Sequence, residues 1–231
     1  MIYMSIVANI YGFLGYYNHS RGNFEKAKEL YEKFFQQGGK KPNYLLSYGV
    51  LMLREGQYEK AKDLFSMVLV DLPVKEEFKT MAKINISLAY WKLGDMDIAV
   101  EMLEEVHRKH RSGKVYGTLG YLLIQKGDLE RALEYNLEAL DYDDEDPVIL
   151  DNLGQIYYKM GNIDKAKEFF EKAEEKKDDQ AVTLYYLGLI YSKEGNKALA
   201  REKLEKALTS NLTPLSAVTR EDIEKALRDL D

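Results

Sequence analysis

The chain has 231 residues, a formal net charge of −6 and no cysteine. The acidic balance gives no support to general binding of nucleic acids or other polyanions. The absence of cysteine excludes disulfides, thiolate metal sites and a cysteine nucleophile, and it leaves the cellular compartment open. Four prolines and few β-branched runs argue against a sheet protein, whereas a hydrophobic content of 45% is sufficient for a buried core.

The N-terminal stretch, residues 1–20, contains no charged side chain before Arg21. Its length and apolarity approach those of a transmembrane segment, although glycines and polar residues interrupt the apolar run. It lacks the basic flank and the small-residue cleavage site of a secretory signal. The favoured interpretation is the first helix of a helical hairpin, buried against its neighbour. The alternative is a membrane anchor or part of one.

A glycine pattern then divides the rest of the chain into similar segments. The turn glycines are Gly22, Gly56, Gly94, Gly127, Gly161 and Gly195. Five residues after each comes an alanine: Ala27, Ala61, Ala99, Ala132, Ala166 and Ala200. Seven residues before each comes a small residue: Gly15, Gly49, Ser87, Gly120, Gly154 and Gly188. This pattern predicts six pairs of amphipathic helices, each pair joined by a turn at its glycine.

The third segment is longer than the others, because the interval before Gly94 contains four additional residues. Four residues are close to one helical turn, so they can extend a helix without rotating its buried face. We therefore expect a longer first helix in this segment, although a loop insertion would explain the spacing equally well.

The fifth segment shows the pattern most clearly. Asp146 followed by Pro147 predicts an N-cap and the first helical turn, and Gly161 ends that helix. A glycine inside a helix costs roughly 1 kcal/mol relative to alanine, so its recurrence indicates close helix approach. We expect the small side chain of Ala166 to face Gly154.

The C-terminal segment reads as a final helix that covers the open end of the stack. Thr219 followed by Asp222 predicts a capping box at its start.

No catalytic or metal site is predicted. The sequence has no nucleophile elbow, phosphate loop, dinucleotide fingerprint or HExxH motif, so an enzyme is not expected. His107 and His110 share a helix face but lie among cations, which favours a basic helix C-terminus over a metal site. The acidic run at residues 141–146 lacks the glycine and terminal glutamate of a calcium loop. We expect no cofactor.

The repeated positions resemble the tetratricopeptide repeat (TPR) family over about residues 8–212. The residues that carry the resemblance in the fifth segment are Leu150, Leu153, Gly154, Tyr157, Gly161, Ala166, Phe170 and Ala173. The resemblance implies an all-α fold: a right-handed superhelical solenoid of antiparallel helix pairs with a C-terminal capping helix. The expected solenoid spans residues 1–214, with repeats at 8–41, 42–75, 76–112, 113–146, 147–180 and 181–214, and the capping helix spans 215–231.

The resemblance also implies a binding groove. In the family, the first helix of each pair contributes side chains thirteen, ten, nine, six, three and two residues before the turn glycine. The candidate groove residues are Phe13, Tyr16, Asn43, Asn85, Leu88, Trp91, Lys114, Tyr121, Asn152, Gln155, Tyr158, Tyr185 and Tyr186. Aromatic side chains with a few amides suit an extended or helical peptide. The alternative is that several of these side chains only pack between repeats.

Some members of the family bind the C-terminal carboxylate of chaperone tails through a set of Lys, Asn and Arg side chains, the carboxylate clamp. This clamp is not expected here, because only Asn85 and Lys114 match its residue pattern.

The sequence therefore predicts a non-catalytic protein–protein interaction scaffold that binds a peptide or partner segment in an apolar, aromatic groove. Trp91, the only tryptophan, is the expected anchor of that groove. The alternative function is a membrane-tethered assembly factor anchored by residues 1–20. Nucleic acid is not an expected partner, and self-association through a terminal repeat is a further hypothesis. The expected location is the cytoplasm, with membrane association as the alternative.

Overall fold

A computed structural model describes residues 2–71 and 73–230. Within those residues the chain forms thirteen α-helices and no strand. The helices are α1 (Ile2–Ser20), α2 (Phe24–Gln36), α3 (Pro42–Arg54), α4 (Tyr58–Ser66), α5 (Glu76–Leu93), α6 (Met96–Lys109), α7 (Gly113–Lys126), α8 (Leu129–Tyr142), α9 (Pro147–Lys159), α10 (Ile163–Lys176), α11 (Ala181–Lys193), α12 (Lys197–Thr209) and α13 (Arg220–Arg228). A π-helical turn, Met67–Asp71, extends α4. The all-α prediction is confirmed.

The helices form two compact units, Met1–Val106 (unit 1) and His107–Asp231 (unit 2). In unit 1, α1 packs on α2 and α3, and α3 packs on α4 and α5. Ala8 is buried, and Gly12 and Gly15 lie against the rings of Tyr44 and Tyr31. Residues 2–20 therefore form the first helix of a hairpin with α2, as predicted, and Met1 lies outside the described residues. Among the described residues, no helix combines the length and the hydropathy that crossing a membrane requires.

In unit 2, each helix packs on the next, from α7 on α8 to α12 on α13. The core at its C-terminal end joins side chains from α10, α11, α12 and α13. Phe170, Leu184, Leu204 and Ile223 are fully buried there. The predicted final helix is present as α13, and it closes this end of the stack.

The predicted turn glycines have the backbone conformation that ends a helix. Their φ angles lie between 73° and 100°, in the left-handed region that glycine adopts without strain. A residue with a side chain would be strained in this conformation, so glycine is favoured at each of these turns. The recurrence of the turn glycines in the sequence therefore has a local cause.

The mid-helix glycines lie against large side chains of the second helix of their pair. A Cβ added to Gly154 would lie 2.6 Å from the ring of Phe170, and the same register brings Gly49 against Phe65 and Gly188 against Leu204. The side chain nearest to Gly154 is therefore that of Phe170, and at the equivalent Gly188 the carbonyl oxygen of Ala200, the counterpart of Ala166, lies 3.3 Å from an added Cβ. Because glycine has no Cβ, a large side chain of the second helix can pack directly against the backbone of the first helix at these positions.

The third pair of helices departs from the others as predicted. Helix α5 has 18 residues, whereas α3, α9 and α11 each have 13. The inserted residues therefore lengthen the helix instead of forming a loop. In place of the mid-helix glycine, Ser87 is buried and its Oγ donates to the carbonyl of Ile84 at 2.7 Å.

Both predicted caps are present. The carboxylate of Asp146 accepts from the backbone N–H groups of Val148 and Ile149, at 2.8 Å and 3.4 Å. Thr219 and Asp222 form a reciprocal capping box at the start of α13. Each cap satisfies N–H groups that the first helical turn leaves without an intrahelical partner.

Candidate functional site

The inner surface is defined here as the side chains at the six groove positions of the first helices α1, α3, α5, α7, α9 and α11. In unit 1 much of it is open to solvent. Phe13 and Tyr16 on α1 are 57% and 49% exposed, and Asn43 on α3 is also exposed. Leu88 and Trp91 on α5 are partly exposed, and the Lys92 ammonium lies 4.4 Å from the centroid of the Trp91 ring. Unit 1 therefore presents aromatic side chains, with a lysine ammonium against the ring of Trp91.

Three of the four candidate amides, those of Asn85, Asn152 and Gln155, are buried and bonded within the protein, whereas Asn43 is exposed. The side-chain amide of Asn85 donates to the carbonyl of Met81, one turn earlier in α5, at 2.8 Å. That of Asn152 donates to the carbonyl of Gly117 at 3.0 Å and so joins α9 to α7. These amides fix the helices that carry the inner surface.

A buried polar cluster lies beneath the inner surface of unit 2. The Asp151 carboxylate accepts from the Thr183 hydroxyl at 2.6 Å and from the Gln155 amide at 2.7 Å. Burial raises the pKa of Asp151 to about 6. Within the described residues, the buried Oε1 of Gln155 has no hydrogen-bond partner. Tyr121 belongs to the same neighbourhood, because burial and then the Asp151 charge raise its pKa.

An aromatic group continues this surface on α9 and α11. The rings of Tyr158 and Tyr186 lie 4.8 Å apart, and those of Tyr185 and Tyr186 lie 5.4 Å apart. The ring of Tyr186 also stacks on the buried ring of Phe170, with the two centroids 5.2 Å apart. Tyr186 therefore connects the inner surface to the hydrophobic core. Of the remaining candidates, Lys114 is exposed at the start of α7.

A segment of the chain itself lies on this surface, and the repeat pattern did not predict it. The C-terminal loop, residues 210–219, connects α12 to α13. The Tyr121 hydroxyl donates to the carbonyl of Leu215 at 2.6 Å, and Val218 is only 4% exposed. The available signal was the spacing of Leu212, Leu215 and Val218 in a connection that is too long for two adjacent helices.

His107, one of the two histidines considered as metal ligands, is packed among aromatic rings. His107 lies in the last turn of α6, with its ring 4.9 Å from Tyr116 and 5.2 Å from Tyr135. The Tyr135 hydroxyl and His107 Nδ1 are 3.2 Å apart. The described part of the chain has no group of three or more His, Cys, Asp or Glu side chains arranged to hold a metal ion.

Comparison with solved structures shows the same architecture in other proteins. A tetratricopeptide repeat protein from Parabacteroides merdae ATCC 43184 superposes with a TM-score of 0.79 at 18% identity, covering 96% of this chain and 84% of the other. TTC0263, a thermophilic TPR protein of Thermus thermophilus, gives 0.66 at 22% identity over 82% of this chain and 98% of the other. PilF of Pseudomonas aeruginosa gives 0.64 at 15% identity, covering 98% and 99%. These likenesses concern the fold alone.

Comparison with protein families agrees with the repeat pattern. Four family models, all described as tetratricopeptide repeat, match residues 8–36, 84–147, 123–187 and 182–211. A comparison with curated protein sequences gave no significant match. The turn glycines, the packed mid-helix glycines, the helix pairs and the family matches agree: the chain belongs to the tetratricopeptide repeat family.

Proposed function

We propose that the protein is a non-catalytic scaffold that binds a peptide, or a non-helical segment of a partner protein, on its inner surface. The observation that supports this most directly is the C-terminal loop, because the inner surface of unit 2 already carries a non-helical segment. A phenolic hydroxyl there binds a backbone carbonyl. This is the kind of contact by which a surface recognises a chain independently of its side chains.

In this proposal the inner surface of unit 1 provides the open part of the site. Tyr16 and Trp91 offer large apolar areas at a small rotamer cost, which is typical of residues that dominate binding energy. The buried amides of Asn85 and Asn152 have a supporting role, since their donors already bond backbone carbonyls. The proposal retains the division into six repeats and a capping helix.

A random peptide display library selected on the full chain tests this function. Peptides recovered from the selection should lose at least tenfold in affinity with Tyr16→Ala or Trp91→Ala, as measured by isothermal titration calorimetry. Ile98→Ala is the matched control, because Ile98 is an exposed apolar residue on a second helix and lies outside the inner surface.

The thermal unfolding of each variant completes this test. A Trp91→Ala variant with near-native melting and weakened binding supports a binding role for this residue. Equal binding by all three variants, or failure of any peptide to be enriched, would argue against the inner surface as the site.

Self-association through α1 is a second proposed function, and one observation favours it. In the second repeat, the residues twelve, eight and five positions before the turn glycine are Tyr44, Tyr48 and Leu51, all buried. The rings of Tyr44 and Tyr48 lie 5.6 Å and 5.4 Å from rings of α2, in the preceding hairpin. In α1 the same positions hold Ile10, Leu14 and Tyr17, which are 53%, 38% and 44% exposed.

The charges favour a second copy of the chain as the occupant of this α1 face. Residues 1–20 carry no charged side chain, and the Arg21 guanidinium reaches this face only at Tyr17, 4.7 Å from the ring centroid. The part of the face around Ile10 can therefore meet its copy without repulsion between like charges. An interfacial membrane helix usually carries Lys and Arg on its polar face, and α1 has none. A symmetric pair would bury both faces at once.

Sedimentation velocity over a range of concentrations tests self-association. The wild type should shift from monomer to dimer as concentration rises, and Ile10→Glu should remain a monomer with an unchanged melting temperature. Ile98→Glu introduces the same charge at another exposed isoleucine and should still dimerise. A wild type that stays monomeric at all concentrations, or that floats with lipid vesicles, excludes this proposal.

The cytoplasmic location remains a prediction from the sequence, and cell fractionation tests it.

A further inference from the structure

The C-terminal loop has more residues than are needed to connect the end of α12 to the start of α13. Arg220, the first residue of α13, donates from its guanidinium to the carbonyl of Leu208 near the end of α12, at 3.2 Å. At the other end of α13, the Lys197 ammonium at the start of α12 donates to the carbonyl of Leu230. The two helices therefore run antiparallel, side by side. Connections between such neighbours usually have two to eight residues, whereas this loop has ten, 210–219.

The additional length carries the loop across the inner surface. Tyr121, which bonds Leu215, lies on α7, whereas α11 is the first helix nearest to the loop in sequence. Leu212 and Val218 pack into the core at the C-terminal end of unit 2, together with Tyr185 and Tyr186. The loop thus bonds Tyr121 of α7 and shares a hydrophobic cluster with Tyr185 and Tyr186 of α11.

The loop also has its own local structure. The Ser216 hydroxyl accepts from the N–H of Thr213 at 3.1 Å, and the N–H of Ser216 donates to the carbonyl of Thr213 at 2.9 Å. Its ends are fixed independently, by α12 on one side and by the Thr219 capping box on the other. Residues 213–217 lie between Leu212 and Val218, which pack into the core, and can therefore leave the surface while both flanking helices remain folded.

The polar cluster of Asp151 and Gln155 lies near Tyr121, the residue that bonds the loop, because the Asp151 charge acts on the Tyr121 hydroxyl. Gln155 is 1% exposed, and within the described residues its Oε1 lacks a partner, although its amide nitrogen is bonded to Asp151. The Tyr121 hydroxyl can donate a hydrogen bond to a backbone carbonyl, as it does to that of Leu215. A peptide that replaced the loop would meet the Tyr121 donor, close to the polar cluster that holds the Gln155 acceptor.

We propose that the C-terminal loop is a tethered occupant of the inner surface of unit 2, and that a partner peptide binds there by displacing it. This inference rests on the proposed function, since it concerns regulation of the same surface. The preferred ligand is a non-helical peptide with aliphatic side chains, of which residues 210–219 are the built-in example. A tethered segment competes at an effective concentration in the millimolar range, so the closed loop weakens every external ligand.

The test uses a fluorescein-labelled synthetic peptide of residues 210–219 and measures its fluorescence anisotropy. In the opened variant, residues 211–217 are replaced by Gly-Ser-Gly-Ser-Gly, which spans up to about 17 Å and keeps Val218 and α13 in place. We expect this variant to bind the peptide saturably and at least tenfold more tightly than the wild-type chain. Adding Tyr121→Phe to the opened variant should weaken that binding again.

A second variant removes any dependence on the shortened connection. Pro214→Ser combined with Leu215→Ser keeps the loop at its natural length and should also increase peptide affinity. A peptide with the same composition in scrambled order is the control ligand, and circular dichroism confirms that each variant is folded.

The outcomes separate this inference from the proposed function. Equal peptide affinity in the wild type and both variants overturns the tethered occupant, while library peptides that need Tyr16 and Trp91 would still support a scaffold. No binding of the loop peptide by either variant likewise overturns the inference. Loss of both the loop-peptide and the library-peptide binding rejects the proposed function as well.

Discussion

A single carboxylate makes the stability of unit 2 depend on pH. Asp151 has a pKa of about 6 in the folded protein, above its ordinary value of 3.8. Between these values the folded chain binds more protons than the unfolded chain, so the free energy of unfolding decreases as pH rises from about 4 to about 6. Above pH 6 the charged carboxylate remains buried, and the full destabilisation is present.

We predict that Asp151→Asn removes this dependence. The amide can keep the hydrogen bond from Thr183, and its nitrogen can donate to Gln155 Oε1 once the Gln155 amide rotates. Its stability advantage over the wild type should increase by about 2 kcal/mol between pH 4.5 and pH 7.5. Urea denaturation at a series of pH values measures this difference.

Asp141→Asn is the control for that series, because Asp141 is exposed on α8 and should show no such change. A constant difference between Asp151→Asn and the wild type at all pH values would mean that Asp151 titrates normally.

A second polar residue is buried where other repeats place an apolar one. Asn136 lies nine residues after its turn glycine, in the register that holds Phe170 and Leu204. Its amide nitrogen donates to the carbonyl of Ala132 at 2.8 Å, but among the described residues its Oδ1 has no partner. A buried acceptor without a partner costs about 1–3 kcal/mol.

We therefore predict that Asn136→Leu stabilises the protein by about 1–2 kcal/mol in urea denaturation, because Leu204 already fits against Gly188 in the same register. The reverse substitution, Leu204→Asn, should destabilise. If Asn136→Leu lowers stability, the space against Gly120 is shaped for the amide and our interpretation of this site is incorrect.

At the level of the helix pair, close packing makes damage local. Ala166 on α10 is fully buried, so Ala166→Leu should overpack its surroundings and cost about 1–3 kcal/mol. Because repeat proteins gain stability mainly from contacts between neighbours, amides of α9, α10 and α11 should lose most protection from hydrogen exchange.

In the same measurement, amides of α1 and α2 should keep their protection. A uniform loss along the whole chain would show instead that the protein unfolds as one cooperative body.

The elements were predictable where the cause is local. The turn at Gly161, the cap at Asp146 and the longer α5 each follow from residues within a few positions of one another. The partner of Gly154 was not predictable in this way. Phe170 lies sixteen positions away on another helix, and only the packing distance between the helices selects it over Ala166.

At the level of the whole molecule, the repeat register recurs in both units. A lysine six residues after one turn glycine pairs with a glutamate one residue before the next: Lys28 with Glu55 at 2.6 Å, and Lys167 with Glu194 at 2.8 Å. The positions of the candidate surface follow from the same family register, and their role in binding stays a prediction. The C-terminal loop was not, because Tyr121 and Leu215 are 94 residues apart and no periodic pattern connects them.

The two-unit organisation has a consequence for spectroscopy. Trp91 is the only tryptophan and belongs to unit 1, whereas unit 2 contains no indole. Tryptophan emission excited at a wavelength that tyrosine does not absorb therefore reports on unit 1 alone, whereas the far-ultraviolet circular dichroism reports on the helices of both units. If the units melt separately, the emission curve will coincide with only one of two dichroism transitions, and an unfolded unit 2 will remain invisible in the emission.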